Sequence, residues 1–376
     1  MRHNDTSQPI PVPVTLVRKG RGAVSNIAHR FESVVRERDT EAAEIERLEC
    51  GEFDEETLPA LATSTTFETA KSLITYNESP DIGFDRSVNP YRGCEHGCIY
   101  CFARPTHSYL NLSPGLDFET KLVAKRNVVE LLQRELAAPA YQAAVIALGV
   151  ITDAYQPIER ELRLTRGVVE TLTRTLHPFG LITKSSLIER DIDLLAPAAA
   201  EGVVAATISI TTLDHSLSRI LEPRAASPMR RLRTVSTLAA ASIPVTVNVA
   251  PIIPFINEPE IERILEAAAG AGARQAHYTL LRLPWEVAPL FIQWLEAHFP
   301  DRADRVMNRL REMRGGKNYD SQFGKRMIGE GTWAALIRQR FEKAAAKLRL
   351  DRDIPPLRDD LFRAPRVATP QLNLFG

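Results

Sequence analysis

Short runs of apolar and β-branched residues alternate with stretches of helical spacing along the middle of the chain. Strand-length runs lie at residues 144–151, 180–183, 203–210, 245–250 and 277–281. Apolar positions recur with helical spacing at residues 121–137, 164–176, 188–199, 228–241, 258–270 and 287–299. In the last of these, one helix face holds Val287, Leu290, Phe291, Trp294 and Leu295. Strands that alternate with helices are typical of βαβ units and predict a parallel sheet.

The number of repeated units indicates the fold class. With one further strand before Cys94, the chain carries about six βα units, two fewer than a closed eight-stranded barrel has. We therefore expect an α/β protein with a partial TIM barrel, (β/α)6, over residues 87–300. Around this core we expect an N-terminal extension at 1–86, a basic helical region at 301–352 and a Pro-rich tail at 353–376.

Composition and charge are those of an ordinary globular protein. Apolar residues make up 44% and charged residues 25%, which excludes a disordered, collagen-like or coiled-coil chain. Lys plus Arg and Asp plus Glu both total 47, so the net charge indicates no polyanionic partner. No apolar run is long enough to span a bilayer, and no signal-peptide core follows Met1. Because four cysteines are too few for a disulfide scaffold, we expect a cytoplasmic protein in a reducing environment.

The sharpest chemical signal is a set of three cysteines in a glycine-punctuated loop. Cys94, Cys98 and Cys101 stand at i, i+4 and i+7, a spacing that lets three thiolates surround one soft metal centre. Thiolates are the usual ligands of iron–sulfur clusters, and a closed four-iron cubane uses four of them, so three leave one iron open. A Cys3His zinc site that includes His96 or His107 is one alternative. Three buried cysteines without a metal are another.

The spacing Cys94-x-x-x-Cys98-x-x-Cys101, with Tyr100 directly before the last cysteine, resembles the signature of the radical S-adenosylmethionine (SAM) superfamily. The resemblance implies a [4Fe-4S] cluster held by these three cysteines. It implies that SAM chelates the open iron through its amino and carboxylate groups, with Tyr100 among the cofactor-binding residues. It also implies that one electron cleaves SAM to methionine and a 5′-deoxyadenosyl radical, which abstracts a hydrogen atom from the substrate. We further expect a reductant such as flavodoxin or ferredoxin.

Neighbouring segments resemble one group of this superfamily, the spore-photoproduct-lyase-related (DNA-repair-photolyase-like) group. They are residues 152–159, 183–185, 190–195, 222–224 and 251–254, and the resemblance spans residues 87–283. The spore lyase carries a hydrogen-donor cysteine near the second strand, and no cysteine stands there in this chain. Cys50 is therefore a candidate hydrogen donor, a candidate fourth cluster ligand or a residue without a role. Tyr155 or Tyr278 could relay a radical instead.

Polar residues at the C-terminal ends of the strands are candidates for binding SAM, because barrel active sites lie at that end. Asp153 and Glu159 follow the second strand, where the superfamily commonly binds the methionyl amino group, although the usual Gly-Gly-Glu is absent. Lys184 ends the third strand, where the related lyases have a lysine near SAM. A lysine that faces a barrel interior is costly without an anionic partner, which favours a functional role.

Two further candidates end the fourth and fifth strands. Ser209, followed by Thr211, suits a ribose hydroxyl. Asn248 lies near the end of the fifth strand, and Pro251 would shape the wall around the adenine. The structural alternatives are a turn cap for Asp153 and simple β-propensity for Thr211.

Two regions bear on macromolecular partners. Residues 302–349 are rich in arginine and lysine and could follow a phosphate backbone, the alternative being a solvated helical face. The tail resembles the pentapeptide by which bacterial repair and replication proteins bind the sliding clamp, through Gln371, Leu372, Leu374 and Phe375. We expect no membrane partner.

Together these features predict a radical SAM enzyme with lyase-like chemistry, acting on a substrate that could be a nucleic-acid lesion. A radical SAM modifier of a peptide or small molecule is the alternative within enzymology. An iron–sulfur redox module that does not use SAM is the alternative from another class.

Overall fold

The computed structural model describes residues 17–32, 61–352 and 354–366. Cys50 and the tail motif of Gln371, Leu372, Leu374 and Phe375 lie outside the described residues. The predictions that concern them therefore stay predictions.

Strands and helices alternate along the described chain. The strands are β1 (Ser64–Glu68), β2 (Ile74–Tyr76), β3 (Arg86–Val88), β4 (Tyr91–Arg92), β5 (Lys121–Lys125), β6 (Ile146–Leu148), β7 (Phe179–Thr183), β8 (Val204–Ser209), β9 (Val245–Ile252) and β10 (Gln275–Leu280). The α-helices are α1 (Leu116–Thr120), α2 (Val128–Leu136), α3 (Glu159–Leu162), α4 (Leu164–Arg174), α5 (Ile192–Ala200), α6 (His215–Leu221), α7 (Pro228–Ala240), α8 (Ile261–Gly270), α9 (Val287–His298), α10 (Ala303–Glu312) and α11 (Gly331–Lys347). Helices in the described ranges lack the combination of length and apolar character that crossing a membrane requires.

A seven-stranded sheet forms a partial barrel. Its strand order, over the residues described, is β10-β9-β8-β7-β6-β3-β2. Neighbouring strands from β3 to β10 run parallel, and β2 runs antiparallel to β3. Val245, Thr246 and Val247 of β9 have side chains on alternate faces and are all buried, because both faces of a parallel sheet are covered. The expected (β/α)6 partial barrel is therefore confirmed.

The predicted apolar face of the helix at residues 287–299 is confirmed. α9 buries Val287, Leu290, Phe291, Trp294 and Leu295. The Trp294 indole donates a hydrogen bond to the carbonyl oxygen of Ile220 at 3.0 Å, so α9 is fastened to α6. The other predicted strands and helices agree with the structure within a few residues at their ends, apart from the helix predicted at 121–137.

The helix predicted at residues 121–137 is wrong at its beginning, and only its later part forms α2. Lys121–Lys125 forms β5, which pairs with β1 in parallel and with β4 antiparallel in a small separate sheet. Buried Leu122 and Ala124 alternate with more exposed neighbours, which is the period of two of a half-buried strand. The partner β1 comes from the N-terminal extension, whose described strands are too short to show a clear period in the sequence.

A segment between α10 and α11 covers the gap that a six-stranded barrel leaves between β10 and the β2–β3 edge. On one side, the Leu280 amide donates to the carbonyl oxygen of Met327 at 2.9 Å. On the other side, the Arg326 guanidinium and the Gly324 amide donate to the carboxylate of Asp81 at 2.5 and 2.7 Å. This part of the basic region therefore packs onto the barrel.

Candidate metal and cofactor site

The loop that follows β4 carries the three cysteines of the sequence signal at the C-terminal end of the parallel strands. Cys94 and Cys98 are buried, Cys101 is half-buried, and all three are free thiols. The Gly97 amide donates to the carbonyl oxygen of Cys94 at 3.3 Å, and the Cys101 amide donates to that of Cys98 at 3.2 Å. Gly97 has a φ of 66°, a left-handed conformation that favours glycine. The glycine between the first two cysteines therefore lets the loop fold into successive turns.

Arg104 holds this cysteine loop from beneath with a completely buried guanidinium. Its Nε donates to the carbonyl oxygen of Cys98 at 2.9 Å, and its Nη2 donates to that of Gly97 at 3.2 Å. Other hydrogen bonds run to the Glu119 carboxylate and to the carbonyl oxygens of residues 114–115. A buried charge is stable when its hydrogen-bonding capacity is met, so Arg104 fixes two carbonyl groups of the loop in place.

A second buried cluster holds the cysteine loop from the barrel side. The Tyr100 hydroxyl donates a hydrogen bond to the carboxylate of Glu222. That carboxylate also accepts hydrogen bonds from the Thr211 hydroxyl, at 2.5 Å, and from the Arg231 guanidinium. Arg231 donates in turn to the carbonyl oxygen of Ser209, where β8 ends, at 3.1 Å. The aromatic residue before the last cysteine is thus tied to the end of a barrel strand.

Lys184 adds a second cation to this group of residues. It follows β7, and its Nζ lies 5.8 Å from the centroid of the Tyr100 ring. Burial opposes the ammonium charge, but Cys98 and Glu222 outweigh it and raise the pKa of Lys184 above its usual value. Burial also opposes the charge on Glu222, but Arg231 and Lys184 outweigh it and lower the pKa of Glu222 to about 2. At neutral pH Lys184 is therefore a cation and Glu222 an anion.

We name this group of side chains the Glu222 cluster; it consists of Tyr100, Lys184, Thr211, Glu222 and Arg231. A lysine at the inner end of a barrel strand requires an anionic neighbour, and Glu222 is that neighbour. Because Glu222 has two cations around it, the cluster keeps a positive charge to offer to an anionic ligand.

Asp153 joins three segments of the site. Its carboxylate accepts hydrogen bonds from the Thr183 hydroxyl at 2.6 Å and the Lys184 amide at 2.8 Å, and lies 3.2 Å from Nδ1 of His96. It also accepts a hydrogen bond from the Tyr155 amide at 2.9 Å, which is the turn cap considered as its structural alternative. Burial would raise the pKa of Asp153, but His96 and the hydroxyl of Thr183 outweigh it and hold the pKa well below its usual value. Asp153 is therefore an anion that links the ends of β6 and β7 to the cysteine loop.

Glu159 has other partners. Its carboxylate accepts hydrogen bonds from the Tyr91 hydroxyl at 2.5 Å, the Thr165 amide at 2.9 Å and the Arg190 guanidinium at 2.8 Å. The side chain is fully buried, and an anion at this place stabilises the N-terminus of α4. These partners give Glu159 a structural role, and its expected contact with SAM stays a prediction.

Tyr155 lines a cavity of about 530 Å³ between the cysteine loop and the segments after β6, β7 and α6. The wall of this cavity also includes Glu95, His96, Arg160 and Arg224. Tyr155 is fully buried, and burial above all raises the pKa of its hydroxyl, which therefore keeps its proton at neutral pH. Tyr278 instead packs against Phe341, with ring centroids 4.7 Å apart. Of the two tyrosines, only Tyr155 stands next to the cysteine loop.

Ser209 and Asn248 face each other at the ends of β8 and β9. The two residues are in register in this parallel pair. Residues in register on neighbouring strands point to the same face of a sheet, so the two side chains are adjacent. The structure thus brings these two expected cofactor residues together, next to the carbonyl group that Arg231 binds.

An N-terminal strap, residues 17–32, covers the outer side of the cysteine loop. The carboxylate of Glu119 accepts hydrogen bonds from the amides of Gly22 and Ala23 at 3.0 and 2.8 Å. A Cβ atom on Gly22 would lie 1.8 Å from the carbonyl oxygen of Gly97, so only glycine permits this approach. The strap and the cysteine loop therefore pack backbone against backbone.

Most of the residues that hold the cysteine loop are not identified by sequence reasoning. Arg104, Glu119, Glu222 and Arg231 carry these hydrogen bonds, and none is among the expected site residues. Only Glu222 has a sequence signal, because it belongs to the segment at 222–224 that resembles the lyase-related group. A buried charge whose partner is distant in the sequence leaves no local pattern.

The donor set fits an iron–sulfur cluster. Burial above all raises the pKa of Cys94 well above its usual value and that of Cys98 to about 12. The protein alone thus leaves these thiols protonated, and a soft cationic centre is the partner that stabilises thiolates. The histidines of the zinc alternative have other neighbours, since Nε2 of His107 lies 2.9 Å from the Lys121 carbonyl oxygen and His96 lies beside an aspartate. Across the described ranges, no three His, Cys, Asp or Glu side chains are grouped to hold a single metal ion.

Comparison with known sequences identifies the family. The radical SAM superfamily model matches residues 88–268. An uncharacterized protein of Mycobacterium tuberculosis is 33% identical over 275 residues, which are 73% of this chain and 77% of that protein. An uncharacterized protein of Methanocaldococcus jannaschii is 27% identical over 222 residues, which are 59% of this chain and 79% of that protein.

Solved structures of spore photoproduct lyase share the fold. A mutant of that lyase gives a TM-score of 0.54 at 15% identity, covering 76% of this chain and 80% of the lyase chain. The lyase complexed with dinucleoside spore photoproduct gives 0.53 at 15% identity, covering 76% and 79%. A further mutant of the lyase, with bound AdoMet and the same dinucleoside, also gives a TM-score of 0.53 at 15% identity, covering 76% of this chain and 79% of the lyase chain. The chain thus belongs to the radical SAM superfamily, and its cofactors are a [4Fe-4S] cluster and S-adenosylmethionine.

Proposed function

We propose that this enzyme holds its cluster through Cys94, Cys98 and Cys101 and abstracts a hydrogen atom from its substrate. When bound, the cluster and SAM supply one-electron cleavage of SAM to methionine and a 5′-deoxyadenosyl radical. The observation that carries the proposal is the position of the cysteine loop at the C-terminal end of the barrel, fixed to the charged Glu222 cluster through Tyr100. Barrel enzymes place their chemistry at this end of the strands.

Lys184 is the residue we propose for the carboxylate of SAM. The residue is half-buried at the end of β7, and its ammonium nitrogen lies beside the Tyr100 ring. A fixed cation in a partly dry site makes a charge-assisted hydrogen bond to a carboxylate, which is stronger than a neutral one. Because Glu222 binds the Tyr100 hydroxyl, the ring beside Lys184 is a rigid wall.

Three other residues complete the proposed SAM site. Asp153 is an anion at the end of β6 and is proposed for the methionyl amino group. Ser209 and Asn248 are adjacent at the ends of β8 and β9 and are proposed for the ribose and the adenine. Tyr155 is proposed as a radical relay, because its buried hydroxyl keeps its proton and the residue lines the cavity beside the cysteine loop.

The strap and the Glu222 cluster exclude water from the cysteine loop on its two sides. Cys94 and Cys98 are 7% and 8% exposed. The strap covers the outer face, where Gly22 meets Gly97. Exclusion of water strengthens the electrostatic contacts within a site and keeps stray hydrogen donors away from a reactive intermediate.

For the substrate we propose a nucleic acid, with lyase-like cleavage of a lesion as the reaction. The support is the fold, which is similar to that of a lyase solved with a dinucleoside lesion. The basic C-terminal region supports this proposal less than expected from its composition. Arg340 donates to the carboxylates of Glu258 and Glu262 at 2.8 Å, and Arg314 is buried against backbone carbonyl oxygens. These guanidinium groups hold the region together instead of facing a ligand.

The test of SAM cleavage is anaerobic reconstitution, reduction with dithionite and assay of 5′-deoxyadenosine with SAM present. We expect the formation of 5′-deoxyadenosine to depend on each of the three loop cysteines. Cys50→Ala is the matched control, and it should keep its iron; if iron falls, Cys50 is a ligand. A four-iron cluster that is reduced but neither binds nor cleaves SAM would refute the proposal and favour a redox module.

The substrate proposal needs a separate test. Deoxyadenosine formation should rise when a damaged oligonucleotide is added, and the lesion should disappear in proportion. A rise with a peptide or a small metabolite, and none with the oligonucleotide, would favour the alternative substrate classes.

Partners and location are proposed from the sequence alone. We propose a flavodoxin- or ferredoxin-type reductant, and a cytoplasmic location in which the loop thiols stay reduced. We also propose that the tail motif from Gln371 to Phe375 binds a sliding clamp. Deletion of residues 371–375 should abolish clamp binding and leave the iron content unchanged, and unchanged clamp binding would refute this proposal.

A further inference from the structure

Three exposed aromatic side chains and one arginine form a surface that the chemistry described so far does not use. We name it the mouth surface, and it consists of Arg30, Phe31, Tyr109 and Trp285. The exposed fractions of Phe31, Tyr109 and Trp285 are 52%, 69% and 67%. Large aromatic side chains are mostly buried in a folded protein, so a group of three in solvent indicates an interaction site.

The arginine organises the rings of the mouth surface. The Arg30 guanidinium carbon lies 4.2 Å from the centroid of the Trp285 ring, 5.1 Å from that of Phe31 and 5.9 Å from that of Tyr109. The rings of Phe31 and Tyr109 are 5.3 Å apart at their centroids. The carboxylate of Glu286 holds Arg30 in place, at 3.7 Å from its guanidinium and 3.2 Å from its amide nitrogen. The surface therefore presents flat π faces around one fixed cation.

Trp285 combines a strained backbone with a side chain that lies largely in solvent. Trp285 has a φ of 46°, in the left-handed region that bulky residues rarely adopt. The strained backbone and the exposed ring both cost free energy in the folded protein. Strained residues concentrate at ligand-binding sites, where the bound ligand makes use of the geometry.

The mouth surface lies next to the cysteine loop. Tyr109 belongs to the 3-10 turn Arg104–Leu110, which begins just after Cys101, and Trp285 follows β10. Phe102 lies just before that turn, and its ring centroid lies 5.0 Å from the guanidinium carbon of Arg282, on the segment that leads from β10 to Trp285. Phe102 directly follows Cys101, so aromatic and cationic groups extend from the mouth surface to the rim of the proposed cluster site.

We propose that the mouth surface binds unstacked nucleobases of a single-stranded or locally opened nucleic acid and presents them to the cysteine loop. Exposed aromatic rings stack bases of any sequence, and a guanidinium beside them contributes to stacking and attracts phosphates. A purely apolar protein surface would cover the rings but gain nothing from the fixed cation. This inference rests on the proposed nucleic-acid substrate and adds the residues that recognise it.

The test uses the holoenzyme and a fluorescein-labelled oligothymidylate of about 12 nucleotides at low salt, a length within the usual site size for single strands. Fluorescence anisotropy measures the affinity. Binding should also quench tryptophan fluorescence in the wild type but not in Trp285→Ala, because Trp294 is buried and Trp333 half-buried. Trp285→Ala should weaken binding by about 5- to 150-fold, the range for loss of one stacked base. A duplex of the same length should bind more weakly than the single strand.

Two further variants keep the test decisive. Trp285→Gly removes the ring and suits the positive φ, so it should unfold at a temperature no lower than that of Trp285→Ala while binding equally weakly. Tyr76→Ala is the matched control, since Tyr76 is 60% exposed with the Arg86 guanidinium 5.3 Å from its ring centroid. Tyr76 lies on the edge strand β2, and its removal should leave binding unchanged.

Absence of binding at low salt, or equal binding by wild type and Trp285→Ala, would overturn the inference. Equal effects of Tyr76→Ala and Trp285→Ala would also overturn it, because the surface would then not be specific. The measurement requires no SAM. Oligonucleotide binding without SAM cleavage would therefore defeat the proposed SAM chemistry and leave this inference standing. SAM cleavage without oligonucleotide binding would defeat this inference and leave the proposed SAM chemistry standing.

Discussion

The inner side of the cysteine loop and the mouth surface beside its outer rim differ in where their side chains find partners. On the inner side, Glu222 accepts hydrogen bonds from three donors and Arg104 donates to carbonyl oxygens of the loop. At the mouth surface, aromatic rings face solvent and Trp285 has a strained backbone. Side chains that have hydrogen-bond partners within the chain fix the geometry of a cofactor site before the cofactor binds. Exposed side chains gain partners only when a ligand binds. Cofactor binding and substrate binding should therefore fail separately when the two regions are changed.

The largest effect is expected from the cysteines. Replacing any one of Cys94, Cys98 or Cys101 with Ala should lose the cluster and all SAM cleavage, because a three-thiolate site has no spare ligand. Iron content and 5′-deoxyadenosine are the measurements. Oligonucleotide binding at the mouth surface should persist in these variants, which sharpens the comparison. A variant that retains its full iron content would show that the ligands are assigned wrongly.

The next largest effect is expected at Glu222. Glu222→Ala leaves Arg231 buried without its carboxylate, which should lower the free energy of unfolding by about 3–5 kcal/mol at neutral pH. Chemical denaturation measures this change. Glu170→Ala is the control, because Glu170 pairs with Arg166 at an exposed position and should contribute less than about 1 kcal/mol.

The pH dependence of this effect has a definite sign. The pKa of Glu222 is lowered from 4.5 to about 2 in the folded protein. A lowered carboxyl pKa contributes stability above the unfolded value, and this contribution is lost as the pH falls through the folded value. The difference in stability between wild type and Glu222→Ala should therefore shrink as the pH falls from 4.5 towards 2. A difference that stays constant over this window would contradict the assignment of an ionised Glu222.

A smaller effect is expected at Lys184. Lys184→Met should weaken SAM binding by about 10- to 100-fold with iron preserved, the range for losing a hydrogen bond to a charged group. Equilibrium dialysis against labelled SAM measures the affinity. Lys121→Met is the control, because Lys121 is half-exposed and pairs with Asp117. Equal SAM affinities of wild type and Lys184→Met would remove Lys184 from the proposed site.

The smallest effect is expected at the strap. Gly22→Ala places a Cβ atom 1.8 Å from the Gly97 carbonyl oxygen and should lift the strap from the cysteine loop. Trypsin should then cut faster after Arg18, Lys19 and Arg21, and the cluster should bleach faster in air. Gly83→Ala, with no atom within 4 Å of its added Cβ, is the control. A strap that is as protected in Gly22→Ala as in wild type would contradict the proposed cover.

The barrel and the cysteine motif could be predicted because their signals are local. Each barrel strand is an apolar run of its own, and Cys94, Cys98 and Cys101 lie within one loop. The predicted helix is wrong at β5, because the partner strand comes from the N-terminal extension and the short alternation of β5 alone resembles the start of a helix. The strand conformation of this segment depends on pairing with a strand that is distant in the sequence, and no local pattern indicates such pairing.

The supporting residues could not be predicted because their partners are distant in the sequence. Tyr100 and Glu222 are 122 residues apart, and Arg21 binds the Glu119 carbonyl oxygen across 98 residues. Glu159 is the opposite case. Its position after the second strand predicts a contact with SAM, while its hydrogen-bond partners in the fold give it a structural role. Likewise, nothing in the sequence around Trp285 indicates that its side chain stays in solvent.

The central claim is that Cys94, Cys98 and Cys101 hold a cluster with an open iron beside Lys184. The most direct measurement is the electron paramagnetic resonance spectrum of the dithionite-reduced protein, recorded before and after addition of SAM. We predict that SAM changes the spectrum of the wild type, and that Lys184→Met needs about 10- to 100-fold more SAM for the same change. A reduced four-iron spectrum that saturating SAM leaves unchanged in the wild type would contradict the claim.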